Sequence, residues 1–444
     1  IMTDPVIFSR VKKVWEKEVQ NRPKPQIPKD FSEKQYLQQA ERYRLIDRVY
    51  KGFIRGGALL TPEEKEELTE IEMEASKLGP KFSDNVLAAT NAFELYITNP
   101  SEVEGIPQNV LERAAHQAKV KGKKEGWLFT LQPSSMVPFL TYCKNRELRR
   151  QIQIAYNSRA FNDKFDNQEI IKQLLKLRER RAKLLGYPTY ADYVLEDRMA
   201  ESVQNVINFL EKIYQVAYPA AQNEYKEVVE FAREIDNITD FQPWDLAYYS
   251  NKLKEKKYAY DPEELRPWLK VEDVLSGLFI VANRLYGIEM KQVNDIPTWH
   301  PEVSTWEAYD RDGNYLGLLY LDLFPRETKR GGAWQTTFQT AGLYSDGIRR
   351  PQVAIVASLT PSTPEQPSLL LLDEARTIFH EFGHALHSLL ADGYYKSLSG
   401  TNVLWDFVEL PSQVMENWLL EEEALKLFTR NYETGEPLPE ELLQ

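Results

Sequence analysis

Ile378-Phe379-His380-Glu381-Phe382-Gly383-His384-Ala385-Leu386-His387 is the stretch on which the reading of this chain turns. Ile378, Phe379, Phe382, Ala385, Leu386, Leu389 and Leu390 cover most of a helix's circumference, which predicts a buried helix. Within it stands the pattern His-Glu-x-x-His. At about 3.6 residues per turn, His380 and His384 stack one turn apart on the same face. Two neutral imidazoles so placed can share one Zn²⁺, which prefers four ligands in a tetrahedron. Glu381 sits about 100° further round, flanking such a metal where a general base acting on water belongs. The alternative is a pair of core histidines. Burial weighs against it, because a buried His-Glu-His cluster without a partner is costly.

A third ligand has to come from somewhere. His387 continues the face, but three ligands on one straight helix would span about 10 Å, too far for one ion, so His387 reads as a packed or outer-shell histidine. Glu409 follows His384 by 25 residues, enough for the helix to end near Gly393, cross a loop and return. Its neighbours Phe407, Val408 and Leu410 are apolar, so the carboxylate is expected in a buried segment that supplies a partner.

Read together, His380 to His387, Ser399-Gly400-Thr401-Asn402, Asp406 to Gln413 and Glu416-Asn417-Trp418 resemble the thimet oligopeptidase family of zinc metallopeptidases (M3). Leu321 to Arg326 and Lys329-Arg330-Gly331-Gly332-Ala333-Trp334 extend the likeness and lean toward its peptidyl-dipeptidase Dcp and oligopeptidase A branch. Weaker likeness runs upstream through Leu184 to Tyr187, Asp192-Tyr193 and Pro243 to Tyr249. The resemblance implies zinc, one ion per chain, on His380, His384 and Glu409, with Glu381 activating water. It implies a mainly helical, neurolysin-like body with a small β-sheet, split by a deep channel that admits short unfolded peptides and excludes folded proteins. Release of C-terminal dipeptides is the first expectation, internal cleavage the second. Dipeptide release needs an anchor for the free carboxylate; Arg349 and Arg350 are candidates, though paired surface arginines is the simpler reading. A non-catalytic, zinc-bearing peptide-binding scaffold is the alternative of another class, and a carboxypeptidase releasing single residues a further one. The family's oxyanion and substrate residues lie C-terminal to this region, past Gln444. Asp406, three residues before Glu409, is a candidate either to orient a ligand imidazole or to cap a helix.

Composition bounds the rest. The 444 residues are 42% apolar and 27% charged, ordinary for a globular protein with a large core. A net charge of −12 argues against nucleic-acid or anionic-membrane binding. Cys143 is the single cysteine, which leaves no disulfide framework or Cys-rich metal site. No apolar run approaches a membrane span. A cytoplasmic monomer is expected, with export left open because the chain opens Ile1-Met2.

Two regions are expected: residues 1–290 as helical channel walls, and 291–444 as the catalytic part with a small sheet and the zinc helices. Helices are expected over Val11 to Val19, broken by Pro23, Pro25 and Pro28, then from Glu33 to Tyr50, and from a Thr61 cap with Pro62 in its first turn. Met136 to Leu185, Ser202 to Ile235 and Val271 to Tyr286 also read as helical, and Gly126 to Leu131 as a strand. Arg146, Arg149, Arg150, Arg178, Arg180 and Arg181 read as partners of the acidic excess. Tyr248, Tyr249, Tyr258 and Tyr260 are expected to crowd into core. His116 reads as a surface histidine, and His300 as no ligand. Trp306 to Tyr309 and Tyr315 to Leu323 predict a hairpin, followed by strands over Gln335 to Thr340 and Pro351 to Leu359. A sheet edge for substrate is expected near Gly332 to Phe338 or near Ala354 to Leu359.

Overall fold

A computed structural model describes residues 2–25, 34–259 and 261–442; Pro28, Glu33 and Tyr260 lie outside the described residues. The chain is mainly helical with small sheets, as expected. Helices run over α1 (Pro5–Trp15), α2 (Lys34–Arg55), α3 (Pro62–Ala92), α4 (Gln108–Val120), α5 (Pro133–Tyr142), α6 (Arg146–Asn157) and α7 (Gln168–Leu184). They continue through α8 (Tyr190–Leu195), α9 (Val203–Asp236), α10 (Pro243–Tyr258) and α11 (Val271–Tyr286). After the main sheet come α12 (Leu372–Leu389), α13 (Glu409–Glu416) and α14 (Glu422–Phe428). Among the described residues no helix is long and apolar enough to cross a membrane.

Local chemistry explains several boundaries. Thr61 caps α3 in a reciprocal box with Glu64, and Pro62 fills the first turn, where its missing N–H costs nothing. Ser202 caps α9, its hydroxyl accepting from Asn205 N. The helical run over residues 136–185 is three helices, broken where Asn145 caps α6 and again between Asn157 and Gln168.

Strands β1 (Leu95–Ile97) and β2 (Trp127–Phe129) pair as a short ribbon. The main sheet holds β3 (Glu289–Val293), β4 (Ser304–Tyr309), β5 (Tyr315–Asp322), β6 (Trp334–Gln339) and β9 (Gln352–Val356), in the order β3-β4-β5-β9-β6. A small hairpin, β7 (Gly342–Tyr344) with β8 (Gly347–Arg349), stands between β6 and β9. The β4–β5 hairpin turns through Gly313 at φ 78°, a left-handed conformation glycine adopts without strain. Alternation along β5 and β9 divides the sheet's faces. Leu319, Leu321, Val353 and Ile355 join the core made with α11, α12 and α14, while Leu318, Tyr320 and Ala354 pack with Val303 on the other side.

That large core begins at Leu265 and Leu269 and takes in the buried face of α11, with Met290 of β3 packed against it. A separate core joins β1, β2, α4, α5 and α6. Tyr248 and Tyr249 are buried, but Tyr258 is 71% exposed. Ten residues along a helix advance it by about 280°, off the face its neighbours share. Five of the six arginines pair with acids, as expected, while Arg178 stacks on an aromatic ring. Arg146 and Arg149 hold Asp245, Arg150 holds Glu147, Arg180 and Arg181 hold Glu67 and Glu72, and Arg178 lies over Tyr190.

Candidate metal centre

α12 carries the His-Glu-x-x-His pattern. Ile378, Phe379, Phe382, Ala385 and Leu389 are fully buried against the sheet and α11, which fixes the helix's rotation. Its N-terminus is tied by Glu374, which accepts from Leu371 N and Thr360 N. With that rotation set, His380 and His384 project from one face with ring centroids 5.0 Å apart. α13 crosses beside it and can do so because residue 383 is glycine: a Cβ there would stand 2.5 Å from Ser412 Cα and 2.6 Å from Pro411 O.

The close crossing delivers Glu409. Its Oε2 lies 3.1 Å from His380 Nε2 and 3.1 Å from His384 Nε2. Ligands at about 2.0 Å from a tetrahedral ion are separated by about 3.3 Å; both distances to Glu409 are close to that, and the three donor atoms all lie within 4.8 Å of one another, as zinc needs. Among the described residues this is the group of acidic, imidazole and thiol donors close enough to hold a metal, and no fourth joins it. Three protein ligands leave one position open, the pattern of catalytic rather than structural zinc.

One expectation about Glu409 is corrected here. Its segment is not buried: the Glu409 side chain is 51% exposed and Leu410 54%. At the first turn of α13 it faces the cleft, and Ser412 Oγ donates to its Oε2 at 2.8 Å.

Asp406 is also corrected. It neither orients an imidazole nor caps its own helix. Its carboxylate accepts from Met199 N and Ala200 N, both at 2.9 Å, tying the turn before α13 to the segment between α8 and α9. The imidazole is held instead by Glu416, whose Oε1 is 2.6 Å from His380 Nδ1. With Nδ1 as the donor, the lone pair of Nε2 is turned toward the metal position. Sequence reading missed Glu416. The available signal was its spacing: seven residues from Glu409 is about two helical turns, hence one face.

Glu381 stands beside the triad, 5% exposed, with Oε2 lacking any hydrogen-bond partner. Burial pushes its carboxyl up to about 7, with His380 opposing the rise, Glu409 adding to it, and the Gln335 amide opposing it. Burial likewise lowers the pKa of His384, favouring the neutral imidazole a metal needs. His387 makes no ligand contact. Its Nδ1 is buried without a partner, and its ring lies 6.5 Å from Phe407. His300 stays by Glu302, outside the centre.

A cleft of about 1100 Å³ opens over the triad, walled opposite by Arg44, Arg48 and Arg198 and on the sheet side by Trp334 and Gln335. It lies where the channel is expected. Of the two edges considered, β6 is an outer strand, whereas β9 is paired on both sides. Arg349 and Arg350 are elsewhere: Arg349 pairs with Asp346, and Arg350 donates to the carbonyls of Leu316, Leu389 and Ala391.

Comparison with known proteins gives a consistent set of likenesses. A family profile described as Peptidase family M3 matches residues 139–444. Oligopeptidase A of Salmonella typhimurium is 40% identical over 407 residues, covering 90% of this chain and 60% of that protein. Dipeptidyl carboxypeptidase of Escherichia coli is 34% identical over 407 residues, 91% of this chain and 60% of that protein. A solved structure of PZ peptidase A with an inhibitor overlaps 96% of this chain and 57% of its own at 14% identity, with a TM-score of 0.46. The chain thus spans about 60% of the length of these curated relatives.

Proposed function

The chain belongs to peptidase family M3, and on that premise we propose that it carries the zinc centre of a peptidase acting on short, unfolded peptides. The observation that carries this reading is the convergence of His380 Nε2, His384 Nε2 and Glu409 Oε2 beside the buried carboxylate of Glu381, whose Oε2 has no hydrogen-bond partner. One zinc per chain, a monomeric state and a cytoplasmic setting go with it.

A zinc ion held by His380, His384 and Glu409 supplies Lewis acidity, polarising the scissile carbonyl and making water easier to deprotonate. Glu381 does the proton work. Its carboxylate, near neutrality through burial, takes a proton from the attacking water and hands it to the departing amide nitrogen. Glu416 keeps His380 in the tautomer that presents Nε2. The outer edge of β6 offers unpaired backbone groups along which an extended peptide adds as a further strand. A wall that carries Arg44, Arg48 and Arg198 faces this edge across the cleft.

Internal cleavage is the reading the higher identity to oligopeptidase A supports. Release of C-terminal dipeptides is the second reading, and one observation favours it: Arg44 lines the cleft and has no ion pair or hydrogen bond among the described residues, as an anchor for a free carboxylate requires. The test uses the protein at its natural length, a peptide of roughly ten residues with a free or amidated C-terminus, and product masses. Cuts in both peptides, lost with a chelator and in Glu381→Gln, are expected for an oligopeptidase. Dipeptides from the free form alone identify the second reading. No metal-dependent cleavage of either peptide sinks both and leaves the zinc-bearing scaffold.

A further inference from the structure

A second cavity, of about 230 Å³, is enclosed by α3, α4, β2, the start of α5 and the segment that follows β5. No residue of the zinc centre lines it. Arg113 on α4 does, and its Nη2 is buried with no hydrogen-bond partner. The nearby carboxylates are engaged by another arginine. Arg266 holds Glu263 at 2.7 and 2.8 Å and reaches Glu374 at 3.5 Å, and Glu374 also accepts from Thr360. Burial and the charge of Arg266 lower the pKa of Arg113 to about 10, which leaves it protonated at neutral pH. A shielded guanidinium nitrogen without an acceptor is costly, because it has given up water and gained no partner. Something with an acceptor oxygen relieves that cost.

The other polar groups of the cavity are arranged to help. His116, three residues on from Arg113, faces the same space. Ser134 and Ser135 bring in the first turn of α5. Pro133 there has no N–H and the Ser135 and Met136 amides already donate to the Gln132 carbonyl, so the donors it brings are the Ser134 amide and the two hydroxyls. The remaining cations there are already paired, Lys121 with Glu94 and Glu327, and Arg326 with Asp322. Phe93, Val110, Leu128 and Phe129 supply an apolar floor.

We propose that this cavity binds a small organic anion. Its carboxylate or phosphate sits on Arg113, His116 and the first turn of α5, and its compact apolar body lies against Leu128 and Phe129. The wall also includes Pro325, Arg326 and Glu327, the start of the loop whose far end, Ala333, lines the zinc cleft together with Trp334 and Gln335 at the start of β6. An occupant would therefore lean on one end of the loop that shapes the other site.

The test is calorimetric titration of the zinc-loaded, natural-length protein with benzoate, with inorganic phosphate and with neutral benzamide at constant ionic strength. Saturable benzoate binding is expected at roughly millimolar concentration or below, with none for benzamide. Arg113→Gln should weaken it at least about tenfold. Should that variant fail to fold, Ala114→Leu keeps the charge and fills the apolar side, and it too should lose benzoate. Phosphate binding with the same dependence on Arg113 would support the site and identify phosphate as its anion. Binding of neither anion, or benzoate binding unchanged in Arg113→Gln, overturns the proposal.

Discussion

His380 is the residue through which the metal centre is tuned, because both ring nitrogens are committed: Nε2 toward Glu409 and Nδ1 to Glu416. Glu416→Ala should lower zinc affinity about 10- to 100-fold without unfolding the chain, since only the ring's orientation and basicity are lost. Competition against a chromophoric chelator measures this, and unchanged affinity would remove Glu416 from the centre. The two histidines and Glu381 were legible because helical periodicity alone places them. Glu409 was legible by resemblance, and Glu416 was not, because its role depends on the angle at which α13 meets α12. Asp322 is the other residue with a testable charge. Burial at 2% exposure would raise its pKa, but hydrogen bonds from Arg326, Trp299 and Lys329 overcome that and hold it far below the usual carboxylate range. A depressed folded-state pKa contributes stability present above the unfolded value of about 3.9 and lost as pH falls through the folded one. Asp322→Asn should therefore cost about 3–5 kcal/mol at neutral pH, with the gap to wild type narrowing below about pH 4. Urea unfolding at several pH values checks it; a gap that widens toward acid would refute the assignment.

At the scale of elements, the decisive contact is α12 against α13, and glycine at 383 permits it. Gly383→Ala puts a methyl into the backbone of Pro411 and Ser412, so the helices must part and Glu409 must move with α13. We expect a loss of about 1–3 kcal/mol from overpacking, together with weaker zinc binding. Thermal unfolding and metal titration on the same sample decide it: a stability loss with unaltered zinc affinity would mean that α13 tilts about Glu409 and does not carry it away. Elements with their own signals were legible. The Thr61 cap of α3, the helical run of α9 and the β4–β5 hairpin are local chemistry, and the structure places them where the residues predict. Tyr258 was misplaced because adjacency in sequence stood in for helical phase. The choice between β6 and β9 as the edge was beyond reach, since strand order is set by pairing across the sheet and not by the composition of either strand.

At the scale of the molecule, the zinc triad belongs wholly to α12 and α13, on the large C-terminal core, while the opposite cleft wall comes from the N-terminal helices. The two sides are tied by a few polar contacts near the cleft. Arg48 donates to the carbonyls of Ser397 and Asn402, and Asp406 accepts from Met199 and Ala200. Such ties, 206 to 354 residues apart in sequence, have no local signature, and so Asp406 reads from sequence as a neighbour of Glu409 instead of a strut. The two roles predict different things. As a strut, Asp406 acts on the wall, so Asp406→Ala should leave zinc affinity within about twofold while the amides of Met199 and Ala200, deprived of their acceptor, exchange hydrogen faster. As an outer-shell residue it would act on the metal, and the same variant should lose about tenfold in zinc affinity with exchange at those amides unchanged. Hydrogen exchange by mass spectrometry and chelator competition on one preparation separate them. The distances favour the strut, because both carboxylate oxygens accept from backbone N–H groups of the segment between α8 and α9, which holds the carboxylate against the wall.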